Sequence, residues 1–322
     1  MDHNTIAKCA TVFKRLVLSL LSQPSPRSII IEEYSAKVVN RHGAHLLVKD
    51  EQGIRHRCIS PKKFSYVVCG DRVRCKYIDR DRDQLIEVSS RNNELLRQTE
   101  YATKLVAANI DSLVIVCAIE PAPSLELIDH YIVAAENLPA SAMIVINKID
   151  LCKSTETIAA IKNKYSNLPY PVIETSIEKP SSLEDLTRHL ADHTCIFVGQ
   201  SGVGKSTLIN SLIPTLNIDT QTISDSIHQG KHTTSVTTLY DFPQGGELID
   251  SPGVRNFSLP KLDKEKVSKG FCEIDKLSAQ CKYHNCLHIN EPSCAVKNAM
   301  GKNELHVERY ASYKKMMEKF EK

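Results

Sequence analysis

The chain has 322 residues, room for two or three domains at roughly 100–200 residues each. Its 42% hydrophobic and 25% charged content is that of a folded globular protein, and a net charge of +3 argues against binding nucleic acid by bulk charge alone. Eleven cysteines, odd in number and mostly scattered, argue against a disulfide framework and for buried thiols in a reducing compartment.

The first stretch, "TIAKCATVFKRLVLSLLSQPSP", holds an apolar-plus-serine run over 16–21 that is too short to span a membrane. Lys14 and Arg15 precede it, but the run is very short and no A-x-A cleavage pattern follows. Residues 1–27 therefore read as a helical or disordered extension ending at Pro24 and Pro26, on a cytoplasmic protein with no membrane attachment.

Residues 28–90 read as five short strands, "YSAKVV", "HLLVK", "IRHRCI", "DRVRCKYI" and "DQLIEV", separated by turn signals. Five strands in so short a segment suggest a small barrel, of which the OB-fold is one form. Between 37 and 82 there are 12 Lys/Arg against 5 Asp/Glu, a difference of +7. Arg55, Arg57, Lys62, Lys63, Arg72, Arg74 and Lys76 are interleaved along it, with Tyr66 and Tyr77 as exposed-looking aromatics. Such a face either binds RNA through its phosphates or merely keeps a small barrel solvated.

From 105 to 257 the pattern alternates strand and helix, and its continuous Val/Ile/Leu strands suit a parallel sheet covered on both faces. At 198–207 the chain reads "VGQSGVGKST". Gly199, Gln200, Ser201, Gly202, Val203, Gly204, Lys205 and Ser206 match G-x-x-x-x-G-K-[ST], with Thr207 next in the binding stretch, between an apolar strand and an amphipathic helix that runs to about 213. Backbone N–H groups of such a loop turn inward around phosphates at a helix N-terminus. Lys205 is expected to reach the β- and γ-phosphates, and Ser206 to ligate Mg²⁺. Asp250-Ser251-Pro252-Gly253 follows a later strand and fits D-x-x-G, which would place Asp250 by the Mg²⁺ and the Gly253 N–H by the γ-phosphate. By itself the phosphate loop leaves ATP and GTP open.

About fifty residues before that loop, "VINKID" ends a strand in Asn147-Lys148-Ile149-Asp150. Asp150 suits guanine N1–H and N2–H₂, a donor pair that adenine lacks. Lys148 would lie along the base and Asn147 would tie the two loops together. Thr175, Ser176 and Ile177, after the next strand, stand where a backbone N–H to guanine O6 belongs. The elements run base, base, phosphate, switch, switch. A GTPase cut after D-x-x-G and rejoined at its other end has that order, with every loop still at the carboxyl end of a strand.

Residues 261–322 are polar and helical and hold the one dense Cys/His cluster. Cys281, Cys286, His288 and Cys294 give C-x₄-C-x-H-x₅-C, a set suited to tetrahedral structural Zn²⁺, with His284 as a competing imidazole. In the final helix Lys314, Lys315 and Lys319 accompany Tyr310 and Tyr313; it either contacts RNA or packs Met316 and Phe320 inward.

The motif order, the basic barrel and the Cys/His cluster together resemble the RsgA (YjeQ) family of GTPases that depend on the small ribosomal subunit, over about residues 34–320. The resemblance implies an OB-fold domain at 28–90, a circularly permuted GTPase domain at 91–260 and a mostly α zinc domain at 261–322. It also implies a monomeric assembly factor that docks on rRNA and protein late in subunit maturation, with GTP hydrolysis to GDP stimulated by the subunit and coupled to release. It favours His288 over His284 as the zinc ligand. The family's G-x-H-T-T segment falls on Gly230, His232, Thr233 and Thr234, making Thr234 the second Mg²⁺ ligand and His232 the group that positions water. Val254 stands where many GTPases carry a water-orienting glutamine, so slow intrinsic turnover is expected. A GTP-gated binding module with negligible turnover is the alternative class, and a P-loop ATPase or kinase, which "NKID" opposes, is a third. The second switch runs through "VRNFSLP" into the C-terminal segment, so gain or loss of the γ-phosphate is expected to reorient it.

Overall fold

The computed structural model describes residues 33–79, 82–98, 103–216, 236–250, 263–302 and 304–320. The N-terminal extension, the loop with His232 and Thr234, and the segment with Gly253 and Val254 lie outside the described residues.

Period-two alternation builds the first unit. Strands β1 (Glu33–His42), β2 (His45–Asp50), β3 (Arg55–Ile59), β4 (Arg72–Asp79) and β5 (Arg82–Val88) close into a barrel in the order β1-β2-β3-β5-β4. Val38, Val48, Cys58, Val73, Cys75 and Leu85 face inward and form its core. All pairs are antiparallel except β3 with β5, the arrangement of an OB-like barrel.

Next comes an element not expected from the sequence. β6 (Glu94–Gln98) and β7 (Thr103–Ala108) form their own antiparallel ribbon. The Asn93 side chain clasps Ile110 at its base, donating to the carbonyl at 2.7 Å and accepting from the N–H at 2.9 Å. Leu95 and Ala107 join Val39 and Cys69 in one core cluster, so the ribbon fills the gap between barrel and sheet.

The sheet contains β8 (Ser112–Ala118), β9 (Ser141–Asn147), β10 (Val172–Glu174), β11 (Thr194–Val198), β12 (Thr238–Asp241) and β13 (Glu247–Asp250). Its order is β10-β9-β8-β11-β13-β12, parallel throughout except for β12. β8 and β11 are buried at every position, as strands covered on both faces must be. The helices are α1 (Leu125–Asn137), α2 (Glu156–Tyr165), α3 (Ser182–Leu190) and α4 (Lys205–Leu212). The chain runs outward from β8 to β10, returns to β11, and then fills the other side. The crevice at that reversal, outside the ends of β8 and β11, is where α/β sheets bind ligands.

The last unit is helical: α5 (Lys264–Gly270), α6 (Cys272–Ser278), α7 (Ala295–Met300) and α8 (Val307–Glu318). It packs on α1, whose Val133 belongs to the same apolar cluster as Phe271 and Tyr313. The approach is close enough that a Cβ at Gly270 would lie 2.5 Å from Val133 Cγ1. In α8, Tyr313, Met316 and Met317 are buried; of the inward pair Met316 and Phe320 that one reading expects, Phe320 is 36% exposed. The helix ends at Glu318, so Phe320 falls past the inward face. Among the described residues no helix is long and apolar enough to cross a membrane.

Candidate nucleotide site and metal centre

The phosphate loop leaves β11 and enters α4. Gly199 has φ +144, and a Cβ there would meet the Val116 carbonyl at 2.0 Å; Gly204 has φ +88, and a Cβ would come within 2.6 Å of Asn147 Nδ2. Both glycines are dictated by close approach. Lys205 is buried, and its ammonium donates to the Gly199 and Gln200 carbonyls at 2.7 Å each, across the loop's mouth. Ser201 and Gly202 are exposed at the rim, Val203 is buried, and Thr207 is half-buried in the first turn of α4. The Ser206 hydroxyl and Gln200 Oε1 are buried and lack a hydrogen-bond partner among the described residues. A buried orphan hydroxyl is costly. At the second residue of α4 it fits a hard cation beside a polyphosphate.

The base loop is stitched to this cradle. Asn147 donates from Nδ2 to the Val203 carbonyl at 2.9 Å and accepts from Thr175 Oγ1 at 3.1 Å. Lys148 has a left-handed backbone (φ 59), and its ammonium donates to the carbonyls of Glu120 (2.8 Å) and Gly202 (2.7 Å). Its stem passes beside Gly204, 3.5 Å from where a Cβ would stand. Asp150 is exposed, and one of its oxygens accepts from Ser176 Oγ. The Ser176 N–H is donated to Ser182 Oγ at 2.9 Å, so of the two amides expected at guanine O6 it is the one already engaged. Ile177 is exposed on the same loop.

Asp250 ends β13, the neighbour of β11. The paired residues are Thr194 with Glu247 and Cys195 with Leu248. Continuing that register sets Asp250 level with Phe197, just before the phosphate loop. Asn147, Lys148, Asp150 and Ser176 are thus tied to one another and to residues 202–203 of the phosphate loop, with Ile177 next in the chain and Asp250 at the end of a neighbouring strand. His232, Thr234 and Gly253 lie outside the described residues.

Three groups absent from the sequence reading also bear on the site. The Tyr131 hydroxyl of α1 takes a hydrogen bond from the Gly199 N–H, bracing the loop from behind. Lys37 and Lys49 of the barrel reach Glu247 on β13 at 2.6 and 2.5 Å. No local pattern marks these residues. Of the barrel cations singled out above, Arg57, Lys62, Lys63 and Arg72 are exposed, while Arg55 pairs with Asp241 at 3.2 Å and Arg74 with Glu87. Tyr66 and Tyr77 are exposed as expected.

Cys281, Cys286, His288 and Cys294 converge, with their ligand atoms all within 4.8 Å of one another. His288 Nδ1 lies 3.5 Å from Cys281 Sγ and 3.4 Å from Cys294 Sγ, and those two sulfurs are 3.9 Å apart. A zinc tetrahedron with Zn–S near ~2.3 Å and Zn–N near ~2.0–2.1 Å has edges of about 3.4–3.8 Å, so the donor set fits. Burial pushes His288 below its ordinary value, which keeps the imidazole neutral as a ligand must be. Burial also pushes the Cys286 thiol up to about 12, a penalty that a cation at the centre removes. His284 is exposed and outside the cluster. Glu291 shapes the loop by accepting the N–H groups of Leu287 and Ile289 at 2.7 and 2.9 Å. Tyr310 and Tyr313 of α8 donate to the His288 and Leu287 carbonyls at 2.7 and 2.9 Å.

A family model described as RsgA GTPase matches residues 88–260, the stretch holding both nucleotide loops. A protein of Actinobacillus pleuropneumoniae serotype 5b named small ribosomal subunit biogenesis GTPase RsgA is 40% identical over 291 residues, 87% of this chain and 84% of its own. A relative of the same name from Saccharophagus degradans is 38% identical over 299 residues, covering 89% and 87%. YjeQ from Thermotoga maritima superposes with a TM-score of 0.76 at 29% identity, over 89% of this chain and 98% of that one. YloQ, described as a circularly permuted GTPase, superposes at 0.74 and 28% identity, over 92% and 98%. With a base loop that precedes its phosphate loop on one permuted sheet, behind an OB-like barrel, this chain belongs to the RsgA GTPase family and is a GTP hydrolase.

Proposed function

We propose that the chain hydrolyses GTP to GDP and phosphate as a late assembly factor of the small ribosomal subunit, stimulated by that subunit and released on hydrolysis. The observation that carries the guanine assignment is the bond from Asn147 to the Val203 carbonyl, which sets Asp150 beside the phosphate cradle. The relatives' shared name supplies the partner.

In this reading Asp150 takes guanine N1–H and N2–H₂, Lys148 covers the base, and the Ile177 amide, supported by Ser176, meets O6. The amides of 199–207 and the Lys205 ammonium hold the phosphates. Ser206 and Thr234 would hold Mg²⁺ directly and Asp250 through water, with the Gly253 N–H at the γ-phosphate. Mg²⁺ held by these residues would supply positive charge to the phosphates during transfer. His232 positions the attacking water, a task Val254 cannot perform. The Cys₃His cluster holds one structural zinc, and the exposed barrel cations take rRNA phosphates. The units are 1–27 as an extension, 28–90 as the RNA-binding barrel, 91–260 as the GTPase and 261–322 as the zinc unit, on a monomer in the cytoplasm.

GTP turnover by the purified protein, with and without small ribosomal subunits, tests the reading. Strong stimulation, lost in His232→Ala, is expected. Tight GTP binding without stimulation would instead favour a nucleotide-gated binding module, the reading that Val254 supports.

A further inference from the structure

β12 and β13 are four-residue strands forming a hairpin at the sheet's edge, and Asp250 is the hairpin's last described residue. Its backbone pairing to the sheet is short. β13 is in register with β11 only at Glu247 and Leu248, whereas Ile249 and Asp250 pair with β12 alone. Leu248 and Phe242 pack in the sheet's own core beside Cys195 and Phe197, and the barrel adds a second grip. Val39 of β1 shares an apolar cluster with Leu239 and Ile249. At the hairpin's far end Glu247 accepts from Lys37 (2.6 Å), Lys49 (2.5 Å) and Thr194 Oγ1 (3.0 Å). Asp241, across the same end, pairs with Lys49 and with Arg55.

We infer that Glu247 is a positioning residue for the nucleotide site: held by Lys37 and Lys49, it fixes the strand that carries Asp250, so the barrel sets how firmly nucleotide and metal are retained. Glu247 and Asp250 are three residues apart, about 10 Å along an extended strand, a span over which a short strand moves as one piece. Loosening one end tilts the carboxylate at the other. The grip is also adjustable. A cavity of about 640 Å³, lined by Lys37, Lys49, Arg72, Arg74 and Glu247, opens beside it, so solvent and ions reach the pairs.

The inference rests on the reading of Asp250 as the carboxylate on the Mg²⁺ side, and the test separates the two. Release of a fluorescent N-methylanthraniloyl-GDP is timed with Mg²⁺ and with EDTA, for the full chain and for Glu247→Gln, Lys49→Met, Asp250→Asn and the Glu247→Gln/Asp250→Asn double variant. Faster release in Mg²⁺, by about two- to thirtyfold, is expected for Glu247→Gln and Lys49→Met, with no change in EDTA. The double variant is expected to match Asp250→Asn. Acceleration by Asp250→Asn alone, with Glu247→Gln and Lys49→Met both at the parent rate, would overturn the inference and leave the Asp250 reading standing. Parent-like release by Asp250→Asn would remove that reading and the inference together. Equal acceleration with and without Mg²⁺ would mean a loosened fold rather than a positioned carboxylate, and would also overturn it. Lys49→Met changes a barrel residue outside the sheet, so the test survives a Glu247→Gln variant that fails to fold.

Discussion

Arg309, on α8, donates from Nη1 to Asp129 Oδ1, on α1, at 2.8 Å, and both side chains are at most 1% exposed. The pair joins the C-terminal unit to the GTPase sheet. Asp129 also accepts from Lys164 (2.9 Å) and Tyr165 (2.9 Å), while Arg309 also reaches Glu273 (2.7 Å) and stacks over Phe271 at 4.3 Å. Every charge in the group has an opposite partner, the condition under which buried charges are tolerated. Reorientation of the C-terminal unit by the γ-phosphate, expected from the sequence, would have to break this network.

Arg309→Ala leaves Glu273 without its cation and a void against Phe271. A loss of about 3–5 kcal/mol in unfolding free energy is expected. Denaturant unfolding measures it, and limited proteolysis should show the C-terminal unit opening first. A loss below about 1 kcal/mol would mean the pair is dispensable.

Asp150→Asn replaces a two-point acceptor for guanine with an amide. GTP affinity is expected to fall by roughly tenfold or more per lost charged hydrogen bond, while xanthosine triphosphate, which presents an acceptor at position 2, gains in relative affinity. Competition binding of the two nucleotides reads the switch. Unchanged preference for GTP would move the base elsewhere.

The metal cluster makes a separate forecast. Purified protein should carry about one zinc per chain, and Cys294→Ser or strong chelation should remove it. Loss of helical signal should follow, because Tyr310 and Tyr313 tie α8 to the loop that the metal closes. Metal analysis beside circular dichroism checks both, and a metal-free chain with full helicity would refute the structural role.

Acid dependence follows from the hairpin grip. Burial pushes Glu247 up, but hydrogen bonds and charge from Lys37 and Lys49 outweigh it and hold the carboxyl below its ordinary value. A depressed folded value means stabilisation that is present above the unfolded value, about 4.3, and lost as pH falls through the folded one. Burial pushes Lys49 down, but Asp241 and Glu247 outweigh it and raise it, so its share is lost only in strong alkali. The stability gap between the parent and Glu247→Gln should therefore be full near neutrality and close as pH falls through the depressed folded value. A gap that stays constant with pH would show the pairs contribute nothing electrostatic.

What was legible in the sequence was whatever a local backbone demand enforces. Gly199 and Gly204 must be glycine because a Cβ would strike Val116 or Asn147, so the phosphate loop carries its signature in adjacent residues. The barrel's alternation and the spacing of the four metal ligands are equally local. The β6–β7 ribbon escaped notice because its residues are specified by the cleft they fill between barrel and sheet. Lys37 with Glu247 and Asp129 with Arg309 are 210 and 180 residues apart, and nothing near either partner anticipates the other. The sequence leaves open whether Phe320 packs inward, and it lies past the end of α8 at Glu318.

The Asp129–Arg309 contact has a consequence for how the chain is made. Synthesis is vectorial, and the acid leaves the ribosome 180 residues ahead of its arginine. Until α5 emerges, α1 has an apolar flank at Val133 that Gly270 and Phe271 later cover, and until α8 emerges Asp129 lacks its arginine. The flank of α1 is therefore finished in two steps, and a chain halted before α8 leaves Asp129 short of its arginine and the apolar cluster without Tyr313, Met316 and Met317.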